Sequence, residues 1–254
     1  MVNIILSGCG GRMGRAIVAA ASADDGCRIL AGIDVNADAV APACEFPVYQ
    51  SINDLPDKAD VIVDFSHHTA LPALADYAVK TGTPIVVATT GHTEEEKAIM
   101  LEASKNVAVF FSGNMSIGIN LLIELCKNAA ATLGESFDVE IIEKHHNQKL
   151  DAPSGTAIMI ADAIKEERTE TEYVYDRHSV RAARKSSEVG IHSVRGGTIV
   201  GEHEVLFAGA NETITISHSA ASREIFAGGA LRAAKYLAPK SAGLYNMSDL
   251  INGR

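Results

Sequence analysis

The tightest constraint on this chain lies near its start. An apolar run, Ile4 to Ser7, passes directly into Ser7-Gly8-Cys9-Gly10-Gly11-Arg12-Met13-Gly14 and then into a helical pattern carrying Ile17 and Val18. A glycine-rich turn between a strand and a helix is where a dinucleotide-binding βαβ unit places its phosphate loop. In that reading Gly8 permits the tight turn, Gly10 and Gly11 let backbone N–H groups approach a pyrophosphate, and Gly14 lets the helix pack on the strand. The helix dipole favours the anion. The spacing is GxxGxxG with an added glycine, not strict GxGxxG, so the loop taken alone also reads as a flexible turn. Asp34 supplies the missing context. It closes the next apolar run twenty residues after Gly14, where a carboxylate accepts hydrogen bonds from adenosine ribose hydroxyls. Val35 and Asn36 follow it, so no basic side chain stands ready there for a 2′-phosphate. NADH is therefore expected to serve at least as well as NADPH, with Arg12 and Arg15 the groups that could favour NADPH.

The first 110 or so residues repeat the alternation. Strands are predicted at Ile4 to Ser7, Ile29 to Asp34, Val61 to Phe65, Ile85 to Ala88 and Val107 to Phe111. Helices are predicted at Arg12 to Ala23, Leu71 to Lys80 and Glu94 to Ser104, the last opened by a Thr93/Glu96 capping box. This rhythm belongs to a parallel sheet covered by helices, an α/β Rossmann domain. An aromatic share of 5% with no Trp suits a core of Val, Ile, Leu and Ala. Ligands of such sheets lie beyond the carboxyl ends of the strands. That rule nominates Phe65, the run Ala88-Thr89-Thr90, and Ser112, Asn114 and Met115 as further cofactor contacts.

After Ser112 the texture changes. A long helix from about Ile117 to Leu133 leads to a strand, Val139 to Glu143, a polar stretch, Lys144 to Asp151, and a helix, Thr156 to Glu167. A charged stretch, Glu170 to Ser187, precedes three strand candidates, Val189 to Val194, Thr198 to Phe207 and Thr213 to His218, which read as an antiparallel meander. A final Ala- and Gly-rich helix, Arg223 to Leu237, is expected to return to the first domain. The expected division is residues 1–114 plus 225–254 as a dinucleotide-binding domain and residues 115–224 as an α+β substrate domain on a mainly antiparallel sheet.

The densest chemistry is Glu143-Lys144-His145-His146-Asn147-Gln148-Lys149-Leu150-Asp151-Ala152-Pro153-Ser154-Gly155-Thr156. Two His and a Lys make a cationic, titratable loop in a chain of net charge -10. The Pro-Ser-Gly-Thr run resembles a helix start, whose hydroxyl and free N–H groups suit a carboxylate. Loop and helix start together could hold two carboxylates of one small molecule. Hydride addition to a conjugated C=C or C=N also needs a proton source, and His suits that near neutral pH. Adjacent His side chains diverge and no third ligand is obvious, so no metal is expected.

The acidic balance argues against nucleic-acid binding, which draws on a basic surface. Cys9, Cys27, Cys44 and Cys126 are scattered, without a CxxC pair, so neither a zinc site nor a disulfide framework is expected. The run Val2 to Leu6 is too short for a signal peptide, and no apolar stretch approaches the roughly 20 residues of a membrane span. A cytoplasmic protein without a membrane partner is expected. Two other readings remain open from the residues alone: a different two-domain Rossmann dehydrogenase of amino-acid metabolism, and an NAD(H)-binding regulator without turnover. A semialdehyde dehydrogenase would need an activated thiolate, and no cysteine has a neighbouring His. A regulator would need neither His145 nor Lys149.

The segment Glu143-Lys144-His145-His146 through Lys149, Asp151 and Pro153 to Ala157 closely resembles the E-x-H-H-x-x-K-x-D-x-P-S-G-T-A signature of the 4-hydroxy-tetrahydrodipicolinate (dihydrodipicolinate) reductases. The resemblance extends to the Gly8 to Gly14 loop with its Arg12 and Met13, Thr89 to Gly91, Asn114 to Asn120, Gly201 to His203, and Ser222-Arg223. It implies a lysine-biosynthesis (diaminopimelate) enzyme that reduces a cyclic dicarboxylate with NADH or NADPH, hydride going to the ring carbon that has lost water. It implies His145 as general acid and Lys149 as the lysine that binds a substrate carboxylate and supports proton transfer. His146, Ser154, Gly155, Thr156 and Arg223 would complete the substrate site. It further implies a homotetramer joined through substrate-domain sheets and a nucleotide domain that closes during turnover. The chain departs from the family pattern at Ala88, often Gly; at His92, commonly apolar; and at Met115, frequently Phe.

Overall fold

The computed structural model describes residues 1–56 and 58–253. The chain divides into two units, Met1–Ile117 with Arg223–Arg254, and Gly118–Ser222. The first unit opens with β1 (Val2–Ser7), α1 (Arg12–Ser22), β2 (Cys27–Ile33), the short α2 (Ala37–Val40), β3 (Val48–Tyr49), β4 (Val61–Asp64), α3 (Leu71–Thr81), β5 (Ile85–Val87), α4 (Glu94–Ala103) and β6 (Ala108–Phe111). There follow α5 (Ile117–Leu133), β7 (Asp138–His145), α6 (Gly155–Lys165), β8 (Glu172–Val174), β9 (Glu188–Arg195), β10 (Gly201–Ala208) and β11 (Thr213–Ala220). The chain then returns to the first unit with α7 (Glu224–Leu237), β12 (Gly243–Tyr245) and α8 (Met247–Asn252).

The first sheet is parallel throughout, in the order β12-β6-β5-β4-β1-β2-β3. Its order reverses at β1, which lies between β4 and β2. Side chains alternate across a strand, so consecutive apolar residues feed two cores. Ile4, Leu6, Val61, Val63, Val86 and Phe110 pack with Ile17 of α1 and with Ala227, Ala230, Leu231 and Ala234 of α7. Ile5, Ile62, Ile85, Val87 and Val109 pack with Leu71, Leu74 and Ala78 of α3 and Met100 of α4. Ile4, Ile5 and Leu6 are 0% exposed, and burying side chains of this size stabilises by about 1.5–3 kcal/mol each.

Local signals account for the helix ends. The Thr93/Glu96 capping box opens α4 as expected, and α3 stops at Gly82, whose φ of 68° is the left-handed cap glycine favours. The small residues of α7 permit close approach: a Cβ on Gly229 would lie 1.7 Å from the Met115 carbonyl oxygen. No helix among the described residues is long and apolar enough to cross a membrane.

The second sheet differs from the expectation. Its order is β11-β10-β7-β9-β8, with β10 antiparallel to β11 and β7, but β7 parallel to β9 and β9 parallel to β8. It is a mixed sheet, not a mainly antiparallel one, and the meander is broken because β7 lies between β9 and β10. The cause is the path between β7 and β9: α6 returns the chain so that β8 enters in the direction of β7, and residues 175–187 return it again so that β9 does the same. A two-residue apolar period is the same in either direction, so it carries no sign of this. The strand expected from Thr198 begins only at Gly201, because a turn through Gly196 and Gly197 ties back to β7: Gly196 N–H donates to the His145 carbonyl. Val139, Ile141, Val189, Ile191, Val205 and Phe207 share one face with Ile119, Leu122 and Cys126 of α5 and Ile160 and Ile164 of α6.

Candidate active site

In the first unit, the ends of β1, β2 and β4 surround a cavity of about 530 Å³ at the point where the strand order reverses, where open parallel sheets bind their ligands. Gly8, Gly11, Asp34, Phe65 and Ser66 line it. The glycines are there of necessity. Gly8 has φ 79°, and a Cβ on it would meet the Phe65 carbonyl oxygen at 2.6 Å; on Gly14 a Cβ would sit 2.2 Å from the Gly8 carbonyl oxygen.

Several of the loop's backbone N–H groups have partners within the unit. Gly8 and Cys9 donate to the Ile33 carbonyl, Gly11 donates to the Gly8 carbonyl, and Gly10 donates to Asp34 Oδ2 at 3.0 Å. Gly10 and Gly11 thus shape the loop. No side chain caps α1, so first-turn N–H groups, those of Arg12 and Met13 among them, are left to face a pyrophosphate. Asp34 also accepts from Asn36 N–H at 3.0 Å, which fixes its carboxylate at the cavity wall. The loop and the acid fit a dinucleotide.

The later strand ends form a polar web around Asp64, which is 0% exposed. Its Oδ1 accepts from Ser66 N–H at 3.1 Å and from the Ser66 hydroxyl at 2.5 Å, and its Oδ2 accepts from the Thr89 hydroxyl at 2.7 Å. Ala88 and Met115 are buried apolar residues packed in the first core, so a ligand would meet their backbone. Thr90 is exposed beside them. Ser112 donates to the Asn114 carbonyl at 2.8 Å, and Asn114 Oδ1 accepts from Ser116 N–H at 2.9 Å, which shapes the loop after β6. The departure at His92 is accommodated by burial: its ring lies edge-on to Phe111 at 5.9 Å and 3.4 Å from Glu96 Oε2.

In the second unit, β7 alternates Val139, Ile141 and Glu143 onto its buried face, and His145 continues that face at the strand end. Strand register brings Arg195 of β9 opposite His145 and His203 of β10 opposite Glu143. Glu143 Oε2 accepts from His145 Nδ1 at 2.6 Å and from Arg195 Nη1 at 2.8 Å; its Oε1 accepts from Arg195 Nη2 at 2.7 Å and from Ser154 N–H at 3.1 Å. Burial alone would raise the Glu143 carboxyl, but Arg195, His145 and Ser193 outweigh it and bring it to about 2. Burial lowers the His145 imidazole; Glu143 opposes this, and the charges of Lys149 and Arg195 add to it.

Ser154 caps α6 by accepting from Ala157 N–H at 3.1 Å, and its hydroxyl also meets His203 Nε2 at 3.1 Å. Its side chain is thereby committed to positioning the helix start. Gly155 opens α6 with nothing within 4 Å of where a Cβ would stand, and Thr156 follows in the first turn. Lys149 pairs with Asp151 Oδ1 at 2.8 Å, and its N–H donates to the His146 carbonyl, closing a turn that holds the half-buried His146. Arg223 belongs to the first unit, exposed at the start of α7.

Sequence reasoning assigned no role to Glu143, Arg195 or His203. A carboxylate continuing the buried face of a strand was a visible signal for Glu143. Arg195 and His203 reach it only through strand register, which the sequence does not display. Among the described residues, no group of three or more His, Cys, Asp or Glu side chains is arranged to hold a metal ion.

Residues 2–115 match the family described as "Dihydrodipicolinate reductase, N-terminus", and residues 118–251 match "Dihydrodipicolinate reductase, C-terminus". A protein of Caldanaerobacter subterraneus subsp. tengcongensis named 4-hydroxy-tetrahydrodipicolinate reductase is 52% identical over 99% of this chain and 98% of its own length. A protein of the same name from Clostridium novyi is 46% identical over 100% of both chains. Among solved structures, dipicolinate-bound dihydrodipicolinate reductase from Paenisporosarcina sp. TG-14 superposes with a TM-score of 0.80 at 26% identity, covering 97% of each chain. A probable dehydrogenase from Thermotoga maritima, 13% identical with a TM-score of 0.64 over 100% of this chain and 90% of its own, shares the fold. With both halves matched in order and a relative identical at half its positions, this chain belongs to the dihydrodipicolinate reductase family.

Proposed function

We propose that this protein reduces 4-hydroxy-tetrahydrodipicolinate to tetrahydrodipicolinate with a nicotinamide dinucleotide, a step of lysine (diaminopimelate) biosynthesis. The observation that carries the reading is the strand end and helix start of the second unit, where His145, Arg195 and the Ser154 N–H that precedes α6 meet a buried Glu143. They do so in a chain 52% identical to a protein named for that reaction.

The dinucleotide, when bound, supplies the hydride. Arg12 and Met13 N–H groups and the α1 dipole face its phosphates, and Gly8, Gly10, Gly11 and Gly14 give the loop the shape that lets it approach. Asp34 receives the adenosine ribose, while Phe65, Ala88, Thr89, Thr90, Ser112, Asn114 and Met115 belong to the strand ends that hold the remainder. Asp34 is followed by Val35 and Asn36, and the Arg15 Nε–H is already spent on the Gly10 carbonyl at 3.0 Å. These features support NADH serving at least as well as NADPH.

On the substrate side, the Lys149 ammonium and the α6 N-terminus at Gly155 and Thr156 hold the two carboxylates, with His146 and Arg223 as further contacts and Ser154 fixing the helix start. Lys149 exchanges Asp151 for a substrate carboxylate. His145 gives a proton to the atom beside the carbon that takes hydride, and recovers one from water afterwards. Residues 1–114 and 225–254 serve the dinucleotide and residues 115–224 the substrate. The second sheet packs its helices against one face; Ile142, Val194 and Leu206 of the opposite face lie outside that core, which supports subunit contact through this face in a homotetramer.

The test is the loss of NADH or NADPH absorbance with enzymatically generated 4-hydroxy-tetrahydrodipicolinate, comparing the wild type with His145→Gln. The wild type should oxidise both cofactors only when substrate is present. The variant should retain cofactor binding and lose at least about a hundredfold in kcat. Absence of substrate-dependent oxidation in the wild type would overturn the reading.

A further inference from the structure

A carboxylate on the buried face of β7, in line with Val139 and Ile141, is an expensive choice, because an apolar side chain would pack there without losing hydration. Glu143 nonetheless occupies it with four donors around it: the His145 ring, two nitrogens of Arg195, and the N–H that precedes α6. A carboxylate facing Nδ1 requires a proton on that nitrogen. The other ring nitrogen, Nε2, takes no hydrogen bond among the described residues and lies above Gly201, where a Cβ would stand only 3.1 Å away. The ring is also held edge-on against His203 at 5.3 Å.

We propose that Glu143 and Arg195 form a buried positioning pair for the His145 imidazole. Glu143 fixes the ring with Nδ1–H inward and Nε2 as the nitrogen that delivers the proton, and Arg195 offsets the charge with which Glu143 stabilises the protonated ring, so that the ring can release the proton on Nε2. This rests on the reading of His145 as the proton donor. The charged and titratable groups around the ring are Glu143 on the same strand, Arg195 from β9, His203 from β10 and Lys149 from the following loop, with His218 of β11 opposite His203. Glu143 is the anion among them, and Arg195 makes two hydrogen bonds to it. When the ring gives up its Nε2 proton, it returns to the neutral Nδ1–H form already bonded to Glu143, so neither partner has to turn.

The test uses the full chain labelled with ¹⁵N-histidine, the His145 signals being identified by their absence in H145Q. In the wild type the neutral ring should carry its proton on Nδ1. Its titration midpoint should fall by about one pH unit in E143Q, which removes the anion, and rise by about one unit in R195Q, which leaves the anion unopposed. The alkaline limb of the kcat profile should move in the same two directions, because a general acid is lost as pH rises through its own midpoint. A neutral ring protonated on Nε2, or midpoints that stay still or move the same way in both variants, would overturn the pairing. Opposite NMR shifts with an unmoved kcat limb would instead remove His145 from proton delivery and leave its positioning intact. If E143Q does not fold, the upward shift in R195Q decides alone.

Discussion

Asp64 offers a quantitative test of what holds the cofactor side together. Its carboxylate is fully buried at the end of β4 and serves three donors, two from Ser66 and one from Thr89, so it joins the loops after β4 and β5. In Asp64→Asn the remaining oxygen can still face Ser66. The new amide can face the Thr89 oxygen, whose hydroxyl has the Asp64 carbonyl within 3.4 Å as an alternative acceptor. Only the charge assistance is lost, about 1 kcal/mol. Asp64→Ala removes all three bonds. Each bond to a charged group contributes about 1.5–3 kcal/mol, but Ser66 is half-buried and water replaces part of its share, which leaves about 3 kcal/mol. At roughly 2–4 °C per kcal/mol for a chain of this size, the Ala variant should melt about 6–12 °C below the wild type and the Asn variant about 2–4 °C below. Circular dichroism gives the melting temperatures, and NADH fluorescence titration should show about tenfold weaker binding for Ala, near 1.4 kcal/mol. An Ala variant that melts within about 2 °C of the wild type, or an Asn variant as damaged as Ala, would refute the bracing role of the carboxylate.

Gly14→Ala places a methyl 2.2 Å from the Gly8 carbonyl oxygen, against rigid backbone, so it should cost about 1–3 kcal/mol and abolish measurable NADH binding in a fluorescence titration; normal affinity would contradict the close packing of loop and helix. Lys149→Ala should raise the KM for the dicarboxylate substrate and lower kcat in steady-state assays while leaving the NADH dissociation constant unchanged, and an unaltered KM would remove the carboxylate contact. His203 is pushed down to about 4 by burial and by the neighbouring His145 charge, so between its ordinary 6.5 and about 4 the unfolded chain binds a proton that the folded one refuses. Thermal stability should therefore fall as pH drops across that interval, and His203→Gln should flatten the dependence there. Glu143, brought to about 2, adds a second loss between 4.5 and about 2, because its stabilisation is present above the ordinary carboxyl value and disappears on protonation. A melting temperature independent of pH between 6.5 and 4 in the wild type would contradict the buried neutral His203.

The parts of this molecule legible in the sequence are those set by local pattern. Ile4, Ile5 and Leu6 read as a strand buried on both faces, the glycines read as a strand-to-helix turn, and Thr93 with Glu96 marked the start of α4. The His145 to Thr156 segment was legible as chemistry because titratable residues crowd against a helix start. The direction of β9 relative to β7 was not legible, since side-chain alternation is blind to strand direction and only the path of the intervening chain, through α6, β8 and residues 175–187, decides it. The short edge strands β3, β8 and β12 escaped for a related reason: two or three residues are too few to show a period. Long-range pairings such as Arg195 with Glu143, 52 residues apart, arise from register and have no local trace. The loop partners of the Gly10 and Gly11 N–H groups have no trace in the motif, which shows where a backbone bends and not which of its N–H groups are occupied.

The return of the chain after β11 has a consequence for biogenesis. The first core is incomplete without Ala227, Ala230, Leu231, Ala234, Leu237 and Met247, all synthesised after the second unit is finished. During translation the inserted unit, contiguous from Gly118 to Ser222, is therefore the first with all its core partners emerged from the ribosome, and the earlier-made strands wait with one apolar face uncovered. A stalled ribosome or a nonsense codon before α7 would yield a chain whose substrate half can be native while its nucleotide half presents β1, β4 and β5 to chaperones and proteases.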